Sequence, residues 1–329
     1  MIPLEKGRGG ELPLRAIGRN RQATNRAGAA VCQRDSHGVW FCFDCQLKFG
    51  DFDGLRGRQR GMGSRKRASD FIARRRQPVM NPYSQYHEEF SRNGFVRLKG
   101  YLTSEEVQNL EKNLQRYIRE TAPGLPPTDV FYEIQGRAET LKQMQQMETH
   151  DPFFRSITVL PKFARLAEAL LGTPVVLRGV ELFNKPAGIG KPTPPHQDGY
   201  YFCLVPSQAV TLWFPLDPVS EENGCIRYVR GSHRKGIRPH NVSNILGFSQ
   251  GLSDWGPEDA AAEVKALASP GDLLAHHCDI IHRADANPSR ISRRALAIVY
   301  DGAGSTIDEA AQARYKQSST AQRVEIQSR

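Results

Sequence analysis

Ala209-Val210-Thr211-Leu212-Trp213-Phe214-Pro215-Leu216, then the pair Asn223-Gly224, then Cys225-Ile226-Arg227-Tyr228-Val229 decide the fold. Short runs rich in Val, Ile, Leu and aromatic residues, divided by an Asn-Gly pair that favours a tight turn, mark an antiparallel β domain. Outward from this stretch, 175–183, 272–277 and 294–300 have the same character and are separated by Gly, Pro, Asn and Ser clusters. Before Thr173 the periodicity is helical. Asn81-Pro82 opens a helix predicted to run to Gly94, and Phe95-Val96-Arg97-Leu98 alternates as a strand does. Thr103-Ser104-Glu105-Glu106 reads as a capping box ahead of Val107, Leu110, Leu114, Tyr117 and Ile118 at helical spacing. A third helix is predicted from Pro161 to Leu171, closed by Gly172. Helices first and strands afterwards predict a mainly β fold with flanking helices (α+β), whose two antiparallel sheets form a jelly-roll barrel. There is no internal repeat, no phosphate-binding glycine motif and no nucleophile elbow.

With 39% hydrophobic and 24% charged residues, the 329-residue chain reads as globular. No run reaches the roughly 18 apolar residues that cross a bilayer, and no apolar secretory stretch stands at the N-terminus, so a cytoplasmic location is expected. Charge is unevenly spread: 17 Lys or Arg against 7 Asp or Glu fall in residues 1–79, which carry the whole net charge of +10. A nucleic-acid footprint therefore belongs to that segment and not to the body. Residues 1–79 also hold Arg/Gly-rich stretches such as Gly54 to Gly61 and the cluster Arg74-Arg75-Arg76, with few periodic apolar positions, and are read as a disordered basic extension. Met62 and Met80 are both suitable alternative starts. The domain reading is thus an extension over 1–79, a jelly-roll body over 80–303 and a polar C-terminal tail over 304–329. Cys203, Cys225 and Cys278, scattered through apolar stretches, read as reduced core residues. Cys32, His37, Cys42 and Cys45 form C-x4-H-x4-C-x2-C, a ligand set for zinc with an uncommon first spacing.

His196-Gln197-Asp198 supplies an imidazole and a carboxylate two positions apart, which on an extended segment face one point while Gln197 turns aside. A distant histidine would complete the two-histidine, one-carboxylate facial triad of non-haem Fe(II), and His276, His277 and His282 all stand at a suitable remove. Asn184-Lys185-Pro186, His196-Gln197-Asp198, Trp213, Asn223-Gly224-Cys225, Gly231-Ser232-His233 and Gly271-Asp272 through His282 to Asn287 and Arg293 follow one another in order. In these blocks, over about Tyr86 to Asp301, the sequence resembles the phytanoyl-CoA dioxygenase family of Fe(II)- and 2-oxoglutarate-dependent oxygenases.

The resemblance implies a double-stranded β-helix (cupin-like) barrel, Fe(II) as metal, and 2-oxoglutarate and O2 as cosubstrates. It makes His196, Asp198 and His282 the metal ligands. It sets Arg293 on the far carboxylate of 2-oxoglutarate, where a planar guanidinium suits two-point binding, and puts Trp213 on the cosubstrate side. Lys142 resembles a lysine that also reaches 2-oxoglutarate, and Gln197 is counted with this cosubstrate-binding set. His233, His240, His276 and His277 are expected to be packed, surface or supporting histidines, and Arg294 a structural partner facing away from Arg293. One departure is Ala284, where better-known members carry a serine that helps to hold 2-oxoglutarate. Asp198 is retained, which favours hydroxylation over halogenation. The expected partner is a small-molecule substrate, with cap segments 123–154 and 241–255 as its walls. The alternative is a nucleic-acid-associated protein that binds through residues 1–79 and uses the barrel as a sensor. A barrel that binds metal without turnover is a third reading.

Overall fold

The computed structural model describes residues 81–245 and 248–327, together with the backbone of three short strands that precede them. The chain divides into two units, Met1–Arg76 and Gln77–Arg329. In the first, the strands Cys32–Arg34, Trp40–Cys42 and Lys48–Phe49 form a small antiparallel sheet. The rest of the expected basic extension lies outside the described residues. So do His37, Cys45 and the side chains of Cys32 and Cys42, and with them the zinc and nucleic-acid readings.

In the second unit the helices that matter for the site are α1 (His87–Asn93), α2 (Ser104–Glu120), α3 (Pro152–Thr158), α4 (Pro161–Leu171), α5 (Asp198–Phe202) and α6 (Glu309–Gln327). The strands are β1 (Phe95–Leu98), β2 (Val130–Tyr132), β3 (Leu141–Met144), β4 (Val175–Lys185), β5 (Thr193–His196), β6 (Ala209–Pro215) and β7 (Ile226–Val229). They continue as β8 (His240–Ile245), β9 (Phe248–Leu252), β10 (Glu263–Ala266), β11 (Leu273–His277), β12 (His282–Ala284) and β13 (Arg293–Gly302). The two largest sheets are antiparallel, a seven-stranded one in the order β1-β11-β6-β13-β4-β3-β2 and a four-stranded one in the order β10-β7-β12-β5, and β8 pairs with β9 in a separate ribbon. This is the expected jelly roll with flanking helices.

The second and third predicted helices fall where the local chemistry demands, whereas the first starts at His87 and not at Pro82, after a 3-10 turn at Ser84–Tyr86. Thr103 and Glu106 cap α2 reciprocally through side chain and backbone, and α4 begins at Pro161 and ends before Gly172. The Asn223-Gly224 turn is present, with Gly224 at φ 82° where a side chain would be strained. It does not join a hairpin, however. The strands on either side, β6 and β7, belong to different sheets, because a jelly roll passes the chain from one sheet to the other. The segment read as a polar tail contains α6, which has no apolar stripe to announce it.

The seven-stranded sheet is covered on both faces. Val210, Leu212 and Phe214 of β6, with Leu296, Ile298 and Tyr300 of β13, pack in one cluster with Leu110, Leu114 and Tyr117 of α2 and Leu166, Ala167 and Leu170 of α4. The alternate residues Trp213, Leu274, Ala295 and Ala297 pack with Ile226, Tyr228 and Ala266 of the four-stranded sheet. The helices thus hold one face of the sheet, and its other face packs against the four-stranded sheet. Leu212 is fully buried at the centre of the first cluster, and Leu212→Ala is expected to cost about 2–5 kcal/mol, read as a lowered urea midpoint at unchanged slope.

Candidate metal centre and its cavity

β5 and β12 are antiparallel neighbours, and their register sets His196 directly opposite His282. The two rings lie 4.2 Å apart between centroids. Each ring is fixed through Nδ1, which donates to a backbone carbonyl: His196 to Pro194 O at 2.8 Å and His282 to Ile280 O at 3.1 Å. That bond selects the tautomer whose Nε2 carries the lone pair. Both Nε2 atoms face Asp198 Oδ1, at 3.5 Å from His196 and 3.7 Å from His282.

Asp198 reaches this point by a route that strand alternation did not predict. Gln197 ends the extended stretch at φ −126°, ψ 125°, and Asp198 is the first residue of α5. The turn is tied down where Gly199 N donates to Cys278 O at 2.8 Å. A Cβ on Gly199 would stand 2.1 Å from Asp279 Oδ1, so only glycine permits this approach. The second carboxylate oxygen, Oδ2, accepts from Thr211 Oγ1 and His276 Nε2, both at 3.3 Å. Tyr228 Oη in turn donates to His276 Nδ1 at 3.0 Å. His276 is therefore committed to orienting the carboxylate and leaves the third corner to His282.

Burial would raise the Asp198 carboxyl, but the imidazoles of His282, His196 and His276 hold it well below the usual carboxylate range. Burial first, then His196, push the His282 ring down to about 3, so at neutral pH it is an uncharged ligand. The ligand atoms of His196, Asp198 and His282 lie within 4.8 Å of one another. Two neutral imidazole nitrogens and one carboxylate oxygen on three corners fit a borderline divalent ion such as Fe(II).

The cluster opens on a cavity of about 170 Å³ between the two sheets. Arg293 lies on its wall, 5% exposed, with its guanidinium carbon 5.3 Å from the centre of the Trp213 ring. Among the described residues it makes no ion pair, and its Nε is buried without a hydrogen-bond partner. Burial lowers this guanidinium to about 10, so it remains a cation waiting for an anion. Arg294, next in sequence, points the other way and pairs with Asp217 and Glu111.

Two expected cosubstrate residues sit elsewhere. Gln197 is fully buried, and its side chain is consumed by backbone: Nε2 donates to Gly236 O and Asp279 O, while Oε1 accepts from Arg238 N. It braces the turn and has no valence left for a ligand. Lys142 is 5% exposed and stands 3.5 Å from Glu133; its strand neighbour Gln143 lines the cavity and Lys142 does not. Of the two expected substrate walls, 123–154 contributes Gln143 and Gln145, whereas no described residue of 241–255 is among the lining residues.

Sequence reasoning missed other participants. Tyr315 of α6 lines the cavity and meets Tyr201 edge-on at 5.6 Å, and Gln250 Nε2 donates to Ser318 of the same helix. Lys185 faces Arg293 across β4 and β13, with Nζ donating to Lys191 O at 2.5 Å and to Thr193 Oγ1 at 3.3 Å. Burial, then Arg293, push this amine down to about 6. The folded value lies below the unfolded one of about 10.4. Between these pH values the unfolded chain binds the extra proton, so stability rises with pH by up to ~1.4 kcal/mol per unit. Lys185→Met is expected to flatten that slope in urea titrations run from pH 6.5 to 9. An unaltered slope would assign the proton uptake to another group.

Comparison with known proteins agrees with this geometry. A family model described as Phytanoyl-CoA dioxygenase (PhyH) matches residues 90–295. The peroxisomal phytanoyl-CoA dioxygenase of Rattus norvegicus is 26% identical over 230 residues, 66% of this chain and 66% of that protein. Phytanoyl-CoA dioxygenase domain-containing protein 1 of Mus musculus is 31% identical over 166 residues, 49% of this chain and 57% of that protein. The chain thus spans less than two thirds of the length of these curated relatives. Among solved structures, EvdO2 from Micromonospora carbonacea var. aurantiaca complexed with 2-oxoglutarate is 27% identical with a TM-score of 0.54, covering 67% of this chain and 90% of that one. EctD from S. alaskensis with 2-oxoglutarate and 5-hydroxyectoine shares the fold, with a TM-score of 0.57 at 19% identity over 69% and 78% of the two chains. Because the family pattern runs from α1 into β13, over more than half of the sequence and through both sheets, the chain belongs to the phytanoyl-CoA dioxygenase family.

Proposed function

We propose that the chain is a non-haem Fe(II)- and 2-oxoglutarate-dependent dioxygenase that hydroxylates a small organic substrate with release of succinate and CO2. The observation that carries this reading is the convergence of His196, Asp198 and His282 beside a buried arginine that lacks an anion. Bound iron and 2-oxoglutarate supply the oxidising chemistry, in which O2 is reduced as the keto acid is split and one oxygen atom passes to a substrate C–H.

The protein's own residues do the positioning. His196 and His282, anchored on backbone carbonyls, present lone pairs that need no reorganisation. Asp198 fills the third corner, so a carboxylate stands where a halide would have to bind, which favours hydroxylation. Arg293 offers its free donors to the far carboxylate of 2-oxoglutarate, and Trp213 stacks behind it. Ala284 provides no hydroxyl, but its cross-strand partner is Thr193, which lines the same cavity and carries one. Trp213, Phe183 and Ile226 keep the space around the metal apolar and exclude bulk water.

Anaerobic addition of Fe(II) and 2-oxoglutarate to the purified chain should produce a visible metal-to-ligand charge-transfer band, and admission of air should give slow succinate formation. Absence of the band would overturn the proposal.

A further inference from the structure

One wall of the cavity carries a polar pair that neither metal nor cosubstrate employs. Glu181 of β4 and Gln143 of β3 both line the cavity, and Gln143 Nε2 donates to Glu181 Oε2 at 3.2 Å. That bond fixes which way the amide points and leaves Gln143 Oε1 buried with no partner. Among the described residues, the other carboxylate oxygen of Glu181 receives no hydrogen bond either. The wall therefore offers two unengaged acceptors, Gln143 Oε1 and one oxygen of Glu181.

Charge points the same way. Arg178 is bound to Asp301, Arg283 to Glu263 and Asp285, and Lys142 to Glu133. On the proposed dioxygenase reading, the metal and Arg293 are balanced by Asp198 and by the two carboxylates of 2-oxoglutarate. Among the described residues Glu181 makes no ion pair; Arg178, which acts on it from a distance, is already bound to Asp301. Burial raises its carboxyl to about 7, with Gln143 pulling the other way, and a neighbouring cation would restore the carboxylate. Phe183, Phe202, Ile226 and Val299 supply apolar surface in the same cavity.

We propose that the substrate is a small organic ammonium ion, held through its N–H groups by Glu181 and Gln143 so that its hydrocarbon part lies toward His196, Asp198 and His282. This rests on the dioxygenase reading above.

The test is calorimetric titration of the full chain, loaded anaerobically with Fe(II) and 2-oxoglutarate, using matched probes: n-hexylamine against n-hexanol, and cyclohexylamine against cyclohexanol. Amines should bind on the order of 10- to 100-fold more tightly than the alcohols, the worth of a charge-assisted hydrogen bond. Glu181→Gln should erase that preference. Glu181→Lys, which brings its own cation, should reject amines and accept hexanoate. Equal binding of amine and alcohol, no binding by either amine, or a preference that survives Glu181→Gln would overturn the proposal. The charge-transfer band separates the two ideas: its absence from the unaltered chain refutes the dioxygenase reading, whereas a band accompanied by no amine preference refutes only the ammonium assignment.

Discussion

His196→Ala will abolish the charge-transfer band and lower succinate formation by on the order of 10³-fold, since a lost ligand forfeits several kcal/mol of charge stabilisation at the metal. The register of β5 against β12 leaves no substitute. His240 bonds the backbone at Arg238 O and Gln197 N through its two nitrogens, and His276 is held between Tyr228 and Asp198. With one imidazole gone, Asp198 and His282 provide only two corners. The control is His276→Phe, which leaves all three ligands and removes one support of the carboxylate. It should cost about 10- to 100-fold in iron affinity, the usual effect of an outer partner. If His196→Ala keeps the band, the ligand assignment is wrong. If His276→Phe is the more damaging, the third ligand is His276 and not His282.

Arg293→Met should act in opposite directions on two measurements. 2-Oxoglutarate affinity should fall by about 10²-fold or more, because two charge-assisted hydrogen bonds of roughly 1.5–3 kcal/mol each are lost. The metal-free protein should nonetheless melt at a higher temperature. In the ligand-free state the guanidinium is buried beside the Trp213 ring with Nε unsatisfied, and an uncompensated buried cation is destabilising. Methionine fills similar space without that charge. A fall in both quantities would mean that Arg293 is structural, and a rise in melting temperature with intact 2-oxoglutarate binding would assign the carboxylate to another cation.

The part of the site legible in the sequence was the part fixed by metal chemistry. His196 and Asp198 stood out through their spacing on one extended segment, whereas His282 was separated from His276 and His277 only by the family resemblance. The supporting residues carried weaker signals. Gln197 was grouped with the cosubstrate because it sits between two ligands, yet the switch from β5 into α5 directs it to backbone groups instead. Glu181 was visible only as one charge inside Val180-Glu181-Leu182-Phe183, a place where a buried carboxylate has to be explained. Strands buried on both faces, such as β6, read as apolar runs, which reveals their existence but not which residues face the cavity. β5, written Thr-Pro-Pro-His, escaped notice because proline argues against a central strand and is tolerated at a sheet edge, where β5 lies. α6 escaped because Gln, Ser, Arg and Lys dominate it and its contact with the site rests largely on Tyr315.

The five-residue helix α5 begins with Asp198 and carries Tyr201 and Phe202 on the cavity wall, while Tyr315 rests against Tyr201 from outside. A single turn of backbone therefore links the metal's carboxylate to the surface that a substrate touches. One short helix is thus common to the candidate metal corner and the cavity wall.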